Sequence, residues 1–355
     1  MISQNALHHA EKCRFCWMCR HLCPIQHQTG KEINTPRAKG LLLSMVNKGT
    51  QVFDKDMAEA MYECLLCDAC TNDCATGYQP PLFIREARTQ AVVNDLAPEA
   101  VMDCITNALE TGNIYGAEKP SFAQDGTDVL VYIGDVAAVQ VPEMAKNLLA
   151  LLKKAGVSAK VLADEPSSGM LLADMMGYTQ EVSQQAKVCA DAINAAGLPV
   201  VVLDSYDAEI MKQKYPEWGC ELSVEVTTAT AFVAGLLEKG KLEAKAASGI
   251  HGACHDDDRL ARTFHEFAPI RAMAKAAGFE VGEMFNREEL AKSCGSAAAF
   301  AYMPELITRV AGGRWEDLTR TENTAMLTAC PEAYLCLSRC VPEGYQLVDL
   351  FGALL

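Results

Sequence analysis

Cysteine is the residue through which this chain can do chemistry. Cys13, Cys16, Cys19 and Cys23 are spaced C-x2-C-x2-C-x3-C, with Pro24 following, and the same spacing returns at Cys64, Cys67, Cys70 and Cys74, with Ala75 following. Three thiolates set three residues apart on one tight loop can take three corners of a [4Fe–4S] cube, and a fourth, swung away by the next turn, ligates the neighbouring cube. The spacing therefore assigns Cys13, Cys16, Cys19 and Cys74 to a first cluster and Cys64, Cys67, Cys70 and Cys23 to a second. Structural zinc sites are built from paired C-x2-C knuckles instead, and inert core thiols have no reason to repeat a spacing.

The rest of the composition agrees with metal or redox chemistry. The chain has 355 residues, 16 of them cysteine, and no basic-then-apolar leader, so reduced thiols in the cytoplasm are expected rather than a disulfide scaffold. Half of the residues are hydrophobic and 22% are charged, which is ordinary globular composition. A formal charge of −15 argues against binding to phosphate backbones. No apolar run reaches the ~18 residues of a membrane span. No Ser–His–Asp order, zinc-protease motif, haem C-x-x-C-H or phosphate-cradling glycine loop is present, and Gly312-Gly313 reads as a turn.

The elements that must hold the quartets read as helices. Ala38–Val46 is apolar and compact, Asp54–Glu63 lacks helix breakers, and Pro80-Pro81 opens a further helical stretch. With so long a span between quartets, the front of the chain resembles the α-helical two-cluster ferredoxin family, a wiring module of larger oxidoreductases. From Asp128 the pattern alternates. Residues 128–134, 157–163 and 198–204 read as strands, and 142–156 and 181–197 as helices, an order that argues for parallel α/β layers.

A degenerate repeat runs through this second part. Ser167-Ser168-Gly169 matches Ser293-Cys294-Gly295, and 36 positions after the middle residue of each come Asp204 and Cys330. Asp135 lies 33 before Ser168, and Cys254 lies 40 before Cys294. Two copies of one fold explain these intervals. The layout resembles the CCG-domain iron–sulfur subunits: the heterodisulfide reductase catalytic subunit, the iron–sulfur subunits of glycolate oxidase and anaerobic glycerol-3-phosphate dehydrogenase, and the lactate-utilisation iron–sulfur protein. That family carries a Cys, a Cys-Cys-Gly and a Cys-Pro-x-Cys, usually twice. In the first copy Asp135, Ser167, Ser168, Asp204 and Asp207 stand at those places. They are hard ligands, so that copy is expected to hold no cluster and to serve structure or an interface. In the second copy Cys254, Cys294 and Cys330 survive, while Ser293 and Ala333 replace family cysteines. A third cluster there would use these three with Cys336, or alternatively Cys340, as fourth ligand. If Pro331 begins a helix, Cys336 sits about 240° around from Cys330. Cys104, Cys189 and Cys220 read as core thiols, His251 and His255 as hydrogen-bonding neighbours of ligands, and the tail Tyr345–Leu355 as a closing strand or helix.

The expected architecture is α+β: an α-helical ferredoxin domain over 1–115, a degenerate α/β module over 125–220, and a partly cysteine-bearing one over 221–355, both with parallel strands. The resemblance implies an electron-transfer subunit of a multisubunit oxidoreductase of anaerobic metabolism. It would pass single electrons between an FAD-containing flavoprotein dehydrogenase and a quinone, ferredoxin or other redox acceptor. No flavin is expected in this chain, and a further electron-transfer or membrane subunit would join it. The alternative is a catalytic reductase that uses a cluster of the second module on a disulfide or quinone.

Overall fold

The computed structural model describes residues 2–355. The expected helices form, with bounds set by local capping chemistry. Thr35 caps Pro36–Asn47 by accepting from the Ala38 amide, and Asp54 caps Lys55–Tyr62 through the Met57 amide. Pro80 opens the helix that runs to Val93, where a proline costs no helical hydrogen bond. Gln4–Ala10 and Glu99–Thr111 complete the helical front of the chain.

Among the described residues eight strands stand behind it: β1 (Val129–Tyr132), β2 (Ala159–Lys160), β3 (Val200–Val202), β4 (Val226–Thr228), β5 (His251–Cys254), β6 (Glu280–Gly282), β7 (Ala325–Thr328) and β8 (Gln346–Asp349). They make two four-stranded parallel sheets, ordered β2-β1-β3-β4 and β6-β5-β7-β8. The second order is the first with each strand moved on by four, so the repeat seen in the motif intervals is a repeat of topology. The helix pairs correspond as well: Asp135–Val139 follows β1 as Asp258–Arg262 follows β5, and Ser205–Gln213 follows β3 as Pro331–Leu337 follows β7. The expected strand at 157–163 shrinks to two residues. Its position at the sheet edge leaves only Val129 and Leu130 to pair with, and Val161 turns to an antiparallel bridge with Gln124. The tail is both strand and helix, β8 followed by Leu350–Ala353.

Side-chain alternation along the strands feeds two cores. Leu130, Tyr132, Val200, Val202, Ala253 and Met326 face a core that also holds Leu22, Ile25, Tyr62 and Leu65 of the helical part. Val129, Val131, Val201, Cys254, Ala325 and Leu327 face the other core, shared by the helices on the far side of both sheets. The second cysteine loop thus packs on one defined face of the sheets.

Candidate functional site

The two cysteine loops share a backbone. In the first, Phe15 and Trp17 take positive φ of 55° and 72°; in the second, Leu66 and Asp68 take 55° and 60°. These are the third and fifth positions of each motif, none of them is glycine, and each such residue costs free energy that the surroundings must offset. The conformation turns amides toward sulfur: the Phe15 N–H donates to Cys13 Sγ and the Leu66 N–H to Cys64 Sγ, each at 3.4 Å. Short helices, Met18–Leu22 and Ala69–Asn72, then carry Cys19 and Cys70.

The fourth cysteines cross over. Cys23, Cys64, Cys67 and Cys70 line one enclosed cavity with Asn34, Lys39 and Ile84. Cys74 goes the other way. Its sulfur meets the Thr76 hydroxyl at 3.3 Å, and that hydroxyl donates to the Lys12 carbonyl at 3.1 Å, beside Cys13. Tyr78 stands between the two groups, its hydroxyl donating to the Pro36 carbonyl at 2.7 Å and its ring so close to Gly40 that a Cβ there would lie 2.1 Å from the hydroxyl.

The donor set suits soft iron–sulfur clusters: thiols, with a backbone amide aimed at one sulfur of each loop, and in the second loop two buried cysteines. Burial pushes the Cys19 thiol up to about 12 and that of Cys23 to about 11, and raises Cys67 and Cys70 too. Metal ligation must therefore expel these protons. Cys74 is the exception. Partial burial opposes ionisation, but the Thr76 hydroxyl and the nearby amides of Thr76, Tyr78 and Gly77 hold its thiol below the ordinary value.

The surroundings of the two loops differ. Cys16 is exposed, whereas Cys67 and Cys70 are buried. Two arginines of the helix Asp258–Arg262 grip the second loop. Arg259 donates to the Leu66 carbonyl at 3.0 Å and pairs with Asp68 at 3.2 Å and Glu209 at 3.0 Å. Arg262 donates to the Cys67 carbonyl and to Asp258, both at 2.7 Å, and to the carbonyls of Glu289 and Ala291. A third, Arg88, donates to the carbonyls of Met61, Tyr62, Cys64 and Asp174. Lys39 is buried at the cavity wall, its Nζ donating to the Ala60 carbonyl. None of these four cations stood out in the sequence by spacing. The signal that could have found Arg259 and Arg262 is the run His255–Arg262, HDDDRLAR, in which three aspartates and two arginines become buried together.

The family-pattern positions other than Cys254 are buried beside this clamp. In the first repeat the Ser168 hydroxyl donates to Asp207, and Lys119 pairs with Asp135, so hydrogen bonds and one cation fill the place where the family has cysteines. In the second, Cys294 and Cys336 are neighbours, and a Cβ on Gly295 would stand 2.9 Å from Cys336 Sγ. Cys330 lies 3.9 Å from the Ser205 hydroxyl, which donates to Asp257 at 2.5 Å. Cys340 is partly exposed beside Cys336. Cys254, expected with these, is on the opposite side of the sheet, its sulfur 3.9 Å from the Ile270 carbonyl. The reason is strand parity: at the end of β5 the inward position belongs to Ala253. His255 accepts from Arg314 at 3.2 Å, and His251 lies exposed against Glu280. Cys104, Cys189 and Cys220 are buried core thiols.

Residues 9–78 match the 4Fe-4S dicluster domain family. Residues 9–78 are a 4Fe-4S dicluster domain. The dicluster domain indicates iron–sulfur clusters as the cofactor class, and most of the chain is similar to a ferredoxin and to oxidoreductase proteins. It is 23% identical over 322 residues to a probable membrane-anchored ferredoxin of Chromohalobacter salexigens, covering 84% of this chain and 47% of that one. To the EtfAB:quinone oxidoreductase of Syntrophomonas wolfei it is 25% identical over 308 residues, 79% of this chain and 42% of that one. One subunit of the dihydromethanophenazine:CoB–CoM heterodisulfide reductase of Methanosarcina acetivorans is 22% identical, with 90% of this chain and 86% of that one covered. The resemblance to iron–sulfur oxidoreductase subunits is borne out, although the chain spans under half the length of the first two relatives. A crystal structure of a hypothetical protein from Helicobacter pylori shares the fold behind the dicluster domain as well as within it, with a TM-score of 0.58 at 12% identity over 99% of this chain and 72% of that one. Among the described residues no helix is long and apolar enough to cross a membrane.

Proposed function

We propose that this chain is the iron–sulfur electron-transfer subunit of a cytoplasmic multisubunit oxidoreductase, working between an FAD-containing flavoprotein dehydrogenase and a downstream quinone, ferredoxin or redox-subunit acceptor. Cys13, Cys16, Cys19 and Cys74 would hold one [4Fe–4S] cluster, and Cys23, Cys64, Cys67 and Cys70 the other. Such a cluster, when bound, takes up and gives back one electron at a time. The observation that carries the reading is the paired loop backbone, with the same strained positions and the same N–H···S bond in both copies. The chain's own residues divide the remaining work: amides stabilise the thiolates, apolar side chains and Tyr78 keep water out, and the arginines fix the second loop against the α/β modules. No dinucleotide fingerprint occurs in the sequence, which supports placing the flavin on a partner.

The test is an anaerobic preparation in which iron and acid-labile sulfide are counted. About eight of each per chain is expected. About twelve irons would add a third cluster at Cys294, Cys330 and Cys336, and iron-free folded chain would overturn the reading. In Cys67→Ser the signal of one cluster should be lost or altered in electron paramagnetic resonance while the other persists.

A further inference from the structure

The first cysteine loop carries a surface that holding a cluster does not require. Phe15, Trp17 and Met18 are 49%, 43% and 54% exposed around the exposed Cys16, and the corresponding residues of the second loop, Leu66 and Asp68, are turned into the protein. The exposed Trp17 ring is held in place. Arg37 stacks on the Trp17 ring 3.4 Å from its centroid while its Nε donates to Glu32 at 2.7 Å, and Arg20 lies over the same ring at 5.5 Å. Arg14 is pinned to the carbonyls of Glu11, Lys12 and Cys13. Rigid aromatics lose little entropy on contact, which is why they serve well as anchors of small interfaces.

The charge around them opposes that of the molecule. Residues 1–40 carry six lysines and arginines against two acids, whereas residues 41–355 carry 25 against 44, a net −19. Lys12, Arg14, Arg20 and Arg37 all fall at or beside the first loop. We propose that this face, built of Arg14, Phe15, Trp17, Met18, Arg20 and Arg37, is the docking surface for a small acidic one-electron carrier protein. The inference rests on the two-cluster reading above. A basic rim around a few apolar anchors fits a partner whose own rim is acidic, since opposite potentials steer encounter and fix orientation. The area is small, as befits a transient redox contact. A membrane surface fits less well, because the helix Met18–Leu22 is only five residues long and cannot lie in a bilayer interface as an amphipathic anchor.

The probe is oxidised plant-type [2Fe–2S] ferredoxin, small and acidic, titrated calorimetrically into the cluster-loaded chain. Binding is expected at low salt and should weaken about tenfold or more between about 20 and 200 mM salt. Arg20→Glu should weaken it about tenfold at low salt, and Arg14→Glu with Arg20→Glu further. Trp17→Ala should weaken it while leaving the salt dependence unchanged. Lys239→Glu with Lys241→Glu, exposed and distant in the fold, makes the same charge change as the double variant and should leave binding as it is. Binding that survives Arg20→Glu, or that the distant pair weakens equally, overturns the proposal. So does salt-sensitive sedimentation of the wild type with phosphatidylserine vesicles that Arg20→Glu abolishes, which would reassign the face to a membrane. Iron is counted in every preparation first. A chain with about eight irons that fails to bind sinks the docking face alone, and a chain with none sinks the cluster reading instead.

Discussion

A buried lysine is costly, and Lys39 is 2% exposed. Burial lowers its pKa, while the thiolates of Cys64 and Cys23 and the Glu63 carboxylate act in the opposite sense. Its place on the wall of the cavity formed by Cys23, Cys64, Cys67 and Cys70 gives it a role: a positive charge there favours whichever cluster state is more negative, the reduced one. Lys39→Met should therefore lower the midpoint potential of the second cluster by roughly 60 mV or more, the equivalent of tenfold in a one-electron equilibrium, and leave the first nearly unmoved. A redox titration followed by electron paramagnetic resonance reads both, and equal shifts in the two would remove Lys39 from this role. Asp207 titrates from the opposite starting point. Burial pushes its carboxyl up to about 7, Ser168 opposes the rise and Asp135 adds to it. An unfolded aspartate titrates near 4. Between about pH 4 and 7 the native state thus holds a proton that the unfolded chain has released, so Asp207 makes the fold less stable as pH rises through that window. Asp207→Asn removes this dependence. The stability of the variant relative to wild type, from urea unfolding at several pH values, should rise from pH 5 to about 7 and then level off, by a few kcal/mol at most at ~1.4 per unit.

At the scale of elements, the helix Asp258–Arg262 is the joint between cofactor and scaffold. Its Arg262 satisfies the carbonyls of Cys67, Glu289 and Ala291 and neutralises Asp258, which also accepts from Ser293 at 2.6 Å and Tyr206 at 3.0 Å. Arg262→Met would strand a buried carboxylate and three carbonyls. The expected loss is about 3–5 kcal/mol, seen as a lower urea midpoint with an unchanged slope. The same helix shows what the sequence could and could not tell. The quartets, the helices that frame them and the parallel α/β order were legible, because each is a short-range pattern: a spacing, a cap, an apolar period. The repeat was legible because insertions had left its intervals nearly intact. Cys254 was misplaced for lack of strand parity, since one residue of register decides which core a side chain enters and nothing near IHGACH fixes it. Arg88, Arg259 and Arg262 were invisible as a group because their partners are backbone carbonyls far along the chain, and a carbonyl has no letter in a sequence.

For the whole molecule, the two nearly identical loops are set in opposite surroundings. One stands at the surface with Cys16, Phe15, Trp17 and Met18 open to solvent; the other is closed in by three buried arginines and by the core that it shares with both sheets. Exposure governs attack by oxidants and chelators, so the two proposed clusters should not be lost together. Exposed to air with an iron chelator in excess, the loaded chain is expected to release iron in two phases of about four irons each. The fast phase should coincide with loss of the first-cluster signal. Arg262→Met, by loosening the second loop, should speed the slow phase and leave the fast one alone. A single phase, or a fast phase that takes the second-cluster signal first, would mean that the fold does not protect the inner site as this geometry requires. Protection of that kind also gives the asymmetry a use: the proposed partner could reach the outer loop without exposing the inner one, which stays closed in by Arg88, Arg259 and Arg262.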